Sequence, residues 1–271
     1  MTLAEAQSGA EKGDAEAEFV LGKAYYQGNG VPKDYSKALL YYQKAAAQGN
    51  AKAENNLATM YVNGEGVNKD PAEAVKWYRK AAEHGAALAQ LNLASRLEKG
   101  DGVKADPKEA AVWYEKAAIQ GVPQAQLALG ELYYTGMVGF EKNYGEAARW
   151  LANPAEQGNA EAQNLLGILY QKGLGVPKNL QKAFGLLENS AEQGNADGQC
   201  SLGLTYCLGL GVKVNFIKGY KWFIISSKGG NTLAEHYKIE FKDGMTPERY
   251  KEAESMADAF KPRTPAEVKT P

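Results

Sequence analysis

An all-α, right-handed α/α superhelix, a solenoid of stacked helix–turn–helix units, is the fold that this 271-residue sequence predicts, and three observations carry it. Glycines at positions 13, 49, 85, 121, 158, 194 and 230 recur every 36 residues with one step of 37. A second series at 28, 64, 100, 136, 173 and 209 keeps the same period. Between the two lies a column of Leu21, Leu57, Leu93, Leu129, Leu166 and Leu202, each followed by Gly or Ala and then, with Leu97 the exception, by a tyrosine such as Tyr25 or Tyr61. Steps of three and four are helical. A period of this length marks units that cannot bury an apolar face alone and must stack on their neighbours.

The second half of each unit repeats Ala38, Ala74, Ala110, Ala147 and Ala183, then a large side chain at Tyr41, Trp77, Trp113, Trp150, Leu186 and Trp222. Alanine pairs such as Ala45-Ala46 and Ala81-Ala82 follow one turn later, so knobs and holes alternate, as close helix packing requires. Gly28, Gly64 and Gly100 fall where a left-handed residue ends the first helix. Asp34, Asp70, Asp106, Asn143, Asn179 and Asn215 are N-caps for the second, with Pro71 and Pro107 at the first helical position. Glu73, Glu109 and Glu146, three after their caps, are placed to bond back to the cap amide.

Composition narrows the function classes. With 31 basic and 32 acidic residues the net charge is -1, so no field gathers phosphates and nucleic acid is not an expected partner. Apolar runs are too short for a membrane span, and no membrane insertion is expected. Cys200 and Cys207 sit seven apart on one predicted helix, roughly 10 Å along its axis, so two free thiols are expected.

These columns resemble the Sel1-like repeat family, relatives of the tetratricopeptide repeats. Copy one carries the family pattern as Ala15, Ala17, Leu21, Gly22, Tyr25, Gly28, Gly30, Val31, Asp34, Lys37, Ala38, Tyr41, Tyr42, Lys44, Ala45, Ala46 and Gly49. The resemblance covers about residues 9–230. It implies a scaffold or adaptor, chiefly in bacteria, without catalytic residues to carry over. Copy four departs from the pattern through an extra residue in its turn (Gly136 to Phe140) and through Pro154, which predicts a blocked or bent second helix and a local change of curvature. The paired cysteines of the disulfide-rich branch are missing.

The expected division is a partial repeat or cap helix at 1–13, repeats at 14–49, 50–85, 86–121, 122–158, 159–194 and 195–230, a capping helix pair at 231–260 and a flexible tail at 261–271. Opening in mid-repeat leaves a trimmed upstream segment, such as a signal peptide, open, and with it the choice between a bacterial cytoplasm and the periplasm or exterior.

Enzymatic motifs fare poorly. Gly28-Asn29-Gly30 follows a helix and lacks the lysine of a phosphate loop. His84 and His236 are too few and too distant for a metal site or a triad, and no metal or cofactor is expected. Neither S-x-x-K nor G-x-S-x-G occurs. The tryptophan column reads as core rather than as a stacking ladder.

Binding is expected where the copies disagree. In the register of the tetratricopeptide relatives, the concave positions are Phe19, Lys23 and Tyr26 in copy one; Asn55, Thr59 and Val62 in copy two; and Leu91, Ser95 and Glu98 in copy three. They continue with Leu127, Glu131 and Tyr134; then Asn164, Ile168 and Gln171; and finally Cys200, Leu204, Cys207 and Leu208. The last group forms a nearly apolar stripe, either an open anchor site with reactive thiols or a face covered by the C-terminal cap. The expected function is a monomeric protein- or peptide-binding scaffold. Hydrolysis of a small molecule in the groove, and a designed array with no natural partner, are the alternatives.

Overall fold

The computed structural model describes residues 1–136 and 141–267, which hold fifteen α-helices, one 3-10 turn at Lys242–Gly244 and no strand. Helix α1 (Leu3–Glu11) precedes six helix pairs. These are α2 (Ala15–Gln27) with α3 (Tyr35–Ala47), α4 (Ala51–Asn63) with α5 (Pro71–Glu83), and α6 (Ala87–Lys99) with α7 (Pro107–Ile119). The series continues with α8 (Pro123–Thr135) and α9 (Tyr144–Glu156), α10 (Ala160–Lys172) and α11 (Leu180–Glu192), and α12 (Ala196–Leu208) and α13 (Phe216–Lys228). Two helices, α14 (Thr232–Glu240) and α15 (Pro247–Asp258), close the chain. Among the described residues no helix is long and apolar enough to cross a membrane. The chain divides into two compact units, Met1–Ala125 and Gln126–Pro271.

Local chemistry sets each boundary. Gly28, Gly64 and Gly100 end their helices at φ of 75, 75 and 71°, left-handed values that cost an L side chain its Cβ clearance. Asp34, Asp70, Asp106, Asn143, Asn179 and Asn215 each accept an N–H of the first turn that follows, as their spacing predicts. First helices are capped in the same way by Asp14, Asn50, Asn159 and Asn195. The expected back-bonding of Glu73, Glu109 and Glu146 does not occur. Their carboxylates turn instead to Lys76, to Arg79 and Trp113, and to Arg149. The reason is that the cap amides are already spent: Asp70, Asp106 and Asn143 donate to the carbonyls of Tyr61, Leu97 and Tyr133. A reciprocal capping box forms at Thr2 and Glu5, in front of α1.

Pro154 does not block its helix: α9 runs through it to Glu156. Sitting in the last turn, the proline removes a single donor, the one owed to the carbonyl of Trp150. The extra turn residues of copy four, 137–140, lie outside the described residues.

Packing within a pair depends on the position after the expected aromatic column. Tyr42, Tyr78, Tyr114, Leu151, Leu187 and Phe223 are all buried; in the expected column Trp113, Trp150, Leu186 and Trp222 are buried too, whereas Tyr41 and Trp77 are half-exposed and carry Lys44 and Lys80 over their rings. The small residue after each column leucine makes room for this knob. A Cβ on Gly22 would fall 2.6 Å from Tyr42, and one on Gly130 or Gly167 would press into Leu151 or Leu187. In these copies the knob fills the space that the missing Cβ leaves, while Ala58 and Ala94 stand at the same position in copies two and three beside the buried Tyr78 and Tyr114.

A second column is polar and buried: Glu18, Glu54, Gln90, Gln126, Gln163 and Gln199. Unpaired, each would be costly. Four find partners in the turn at the end of a second helix: Gln48 donates to Glu18, His84 Nδ1 lies 2.8 Å from Glu54, Gln120 donates to Gln90 and Gln193 to Gln163, while Gln126 accepts from Asn153 within α9. Gln90, Gln163 and Gln199 also donate to the end carbonyls of Ala82, Ala155 and Ala191. Each of these carbonyls also accepts the N–H of the glycine that ends its unit, Gly85, Gly158 or Gly194, so the glutamine adds a second donor.

The C-terminal helices act as a cap. Ala234 of α14 and Ala253 and Ala257 of α15 are buried, and Tyr220 of α13 donates to the carbonyl of Lys238. In the tail expected to be flexible, Arg263 bonds to Glu192, and residues 268–271 lie outside the described residues.

Candidate functional site

Unit 1 gathers the expected groove residues of copies one and two into one pocket. Phe19, Lys23 and Tyr26 of α2 meet Asn55 and Thr59 of α4 around a cavity of about 520 Å³, with Tyr42, Lys52, Asn56 and Leu88 completing the wall. Its floor is aromatic: the Phe19 and Tyr42 rings lie 6.1 Å apart, and Tyr26 packs edge-on to Tyr35 at 5.4 Å. Lys52 holds its ammonium 5.8 Å from the Phe19 ring, so charge stands beside apolar surface.

Hydrogen bonds fix the polar rim. Tyr26 donates to Glu65 at 2.8 Å, and burial together with that carboxylate pushes its phenol up to about 12. Burial works to raise the Glu65 carboxyl, but hydrogen bonds from Tyr26 and Asn63 outweigh it and hold the group below its ordinary range. The Tyr42 phenol is pushed up to about 12 by burial. Asn55 receives an N–H from Asn92, and Thr59 lies 3.0 Å from the Tyr78 hydroxyl. The rim thus combines hydroxyl and amide groups, able to bond amides and carbonyls, with the Glu65 carboxylate held by Tyr26 and Asn63.

The remaining expected positions are less uniform. Val62, Leu91 and Ser95 are half-buried, and Glu98 accepts from Tyr114. In unit 2, Leu127 and Tyr134 pack on the core of α9 and α10, Tyr134 edge-on to Tyr144, and Glu131 is half-buried. Ile168 packs against the Leu187 cluster, and Gln171 donates to Thr205. Asn164 is 5 % exposed and its Oδ1 has no hydrogen-bond partner. It is a core residue, not a groove residue.

The copy-six stripe requires the largest correction. Cys200 and Cys207 are free thiols but only 5 % and 4 % exposed, packed with Phe223 and Ala234 and flanked by Leu204, Tyr237 and Phe241. The cap covers them, and Leu208 alone of the stripe stays open. Cys207 Sγ sits where a Cβ on Gly219 would be, so a shortened residue on α13 lets the two helices close. Burial pushes the Cys200 thiol from 9.0 to about 11 and the Cys207 thiol to about 12. Neither is a nucleophile at neutral pH.

Comparisons with known proteins agree with this architecture. The Sel1 repeat model matches residues 15–50, 51–85, 87–122, 123–159, 160–195 and 196–231. A Sel1 repeat protein from Oxalobacter formigenes is 36% identical, over 79% of this chain and 85% of that one, with a TM-score of 0.63. The chain is also similar to c5321, a protective antigen of uropathogenic Escherichia coli (28% identity, 95% and 71% coverage, TM-score 0.44). A putative Sel1 repeat protein from Klebsiella pneumoniae is 26% identical, with 74% and 98% coverage and a TM-score of 0.43. No curated protein matches. Six matched units and a relative of this identity over most of both chains place the protein: it belongs to the Sel1 repeat family.

Proposed function

We propose that the chain is a non-catalytic scaffold that holds an extended segment of a partner protein in the unit 1 groove. Sel1 repeat solenoids are commonly protein-interaction scaffolds, and the observation that carries this reading is the 520 Å³ pocket. Its wall alternates aromatic surface (Phe19, Tyr26, Tyr42) with amide and hydroxyl groups (Asn55, Asn56, Thr59) and two lysines. That mixture suits a peptide, which offers side chains to the apolar patches and backbone N–H and C=O groups to the amides. Affinity then comes from several modest contacts along successive units.

A photo-crosslinking residue at Thr59 should capture a partner that the same residue at Lys76, on exposed α5 surface, does not. With that partner in hand, Phe19→Ser and Asn55→Ala should each weaken binding about tenfold while helical content is unchanged. Equal affinity for both variants and the parent chain would refute the groove.

A further inference from the structure

One segment is used by neither the repeats nor the groove: Phe260 to Pro265, which follows α15 in unit 2. Pro262 prevents the helix from continuing. The chain then runs across the turns that end the second helices. Phe260 sets its ring edge-on to Trp222, centroids 5.1 Å apart at 73°, with Lys221 lying 5.5 Å from the Phe260 centroid. Arg263 bonds twice to one residue: its N–H donates to the Glu192 carbonyl at 2.8 Å and its guanidinium to the Glu192 carboxylate at 2.9 Å. That carbonyl belongs to the last residue of α11, where the helix supplies no donor.

The prolines are spaced to the repeat. Pro262 lies against Gly194 and Pro265 against Gly158, so close that a Cβ there would stand 3.3 and 2.9 Å from them. These glycines end consecutive units. Two prolines three residues apart thus meet glycines at the ends of two successive units. Beside the segment lies an open space of about 240 Å³, walled by Glu192, Trp222 and Met256 together with Phe260 and Arg263 themselves.

We propose that this edge of unit 2 is a docking site for an extended aromatic-x-Pro-Arg-x-Pro segment of another protein, and that residues 260–265 are its resident occupant, displaced when that segment binds. Each contact is of a kind that any such segment can make. An aromatic ring takes the Trp222 face, an arginine takes both groups of Glu192, and two prolines take the glycine notches. Lys221 beside the aromatic seat disfavours a cation there, and the single carboxylate of Glu192 fixes where the arginine must fall. The site is distinct from the unit 1 groove and stands or falls separately from it.

The probe is a fluorescein-labelled peptide of residues 258–267, titrated against the full chain by anisotropy. A tethered occupant competes at an effective concentration of order millimolar, so a chain with Phe260→Ala and Arg263→Glu should bind the peptide at least about tenfold more tightly than the parent. Adding Glu192→Arg to that chain should abolish binding, and a peptide carrying Arg263→Glu should restore it. Equal affinity for the parent and strap-altered chains, or indifference to Glu192→Arg, would overturn the proposal. Concentration-dependent dimerisation of the parent chain, lost in the Arg263→Glu variant, would assign the seat to a second copy's tail and overturn the partner reading.

Discussion

Gly203 and the ring of Phe223 compete for one position: a Cβ on Gly203 would stand 2.6 Å from both Cδ1 and Cε1, and 3.0 Å from the Gly219 carbonyl oxygen. Gly203→Ala should therefore destabilise the fold by about 1–3 kcal/mol through overpacking, even though alanine is the better helix former. Gly167→Ala should cost less, because its nearest atoms belong to a leucine side chain that can turn away. Denaturant midpoints in the opposite order would show that the α12–α13 contact is looser than the geometry implies.

The Glu54–His84 pair tests the polar ladder. Equivalent positions in other copies pair Gln48 with Glu18 and Gln193 with Gln163, so a carboxamide can replace the imidazole. His84→Gln should change stability by no more than about 0.5 kcal/mol. Glu54 is 1 % exposed, and Glu54→Ala should cost about 1–3 kcal/mol by opening a buried gap and losing the bond to His84. Equal effects of the two substitutions in thermal melts would refute the ladder as a stabilising feature.

Maleimide labelling of native protein at pH 7 should leave Cys200 and Cys207 largely unmodified, with rates rising when Phe241→Ala loosens the cap. The pH dependence has a definite sign. The folded thiols titrate near 11 and 12 rather than 9.0, so the stability they contribute is complete below about pH 9 and is lost as pH rises towards 11–12. A Cys200→Ala/Cys207→Ala chain should show a shallower alkaline fall in Tm. An unchanged slope would remove the thiols as its cause.

Arg79 of α5 grips Glu109 of α7 with both guanidinium nitrogens, and the Glu109 carboxyl is held below its ordinary range, first by that bond, against the pull of burial, and then by Trp113. A lowered carboxylate pKa gives stability that is present above the unfolded value of about 4.5 and lost as pH falls below it. The groups are about a third exposed, so after solvent screening Glu109→Gln should cost no more than about 1 kcal/mol at pH 7 and nothing at pH 3. A cost that persists at pH 3 would point to packing rather than charge.

The repeat itself was legible because glycines, leucines and caps recur at fixed intervals, and each has a local physical cause. The large-residue column is core at Trp113, Trp150, Leu186 and Trp222, but a second buried column one residue later, from Tyr42 to Phe223, went unread, since Tyr41 and Tyr42 are both aromatic and only contacts such as that with Gly22 single out the second. Glu18, Glu54 and Gln90 form a column as regular as the leucines, yet composition alone marks such residues as exposed. Of the groove positions expected in copies one and two, all but Val62 line one pocket, because neighbouring first helices supply both walls. At Cys200 and Cys207 the repeat pattern left the choice between an open and a covered face undecided, because the covering residues, Tyr237 and Phe241, belong to a cap outside the period. Their spacing of four, an aromatic pair on one helix face, was the available signal.

The ladder pairs Gln48 with Glu18, His84 with Glu54, Gln120 with Gln90 and Gln193 with Gln163, always thirty positions back. Each turn is therefore matched to a helix of its own unit, and the bond does not specify which unit comes before or after. In genetic terms, an in-frame duplication or deletion of one whole 36-residue unit within residues 14–121 leaves every ladder donor facing an acceptor. A break of half a unit would bury a carboxylate or carboxamide with no turn to meet it. Recombination at unit boundaries is thus the length change that this chain can absorb, and a gene carrying one more or one fewer unit should still encode a folded protein.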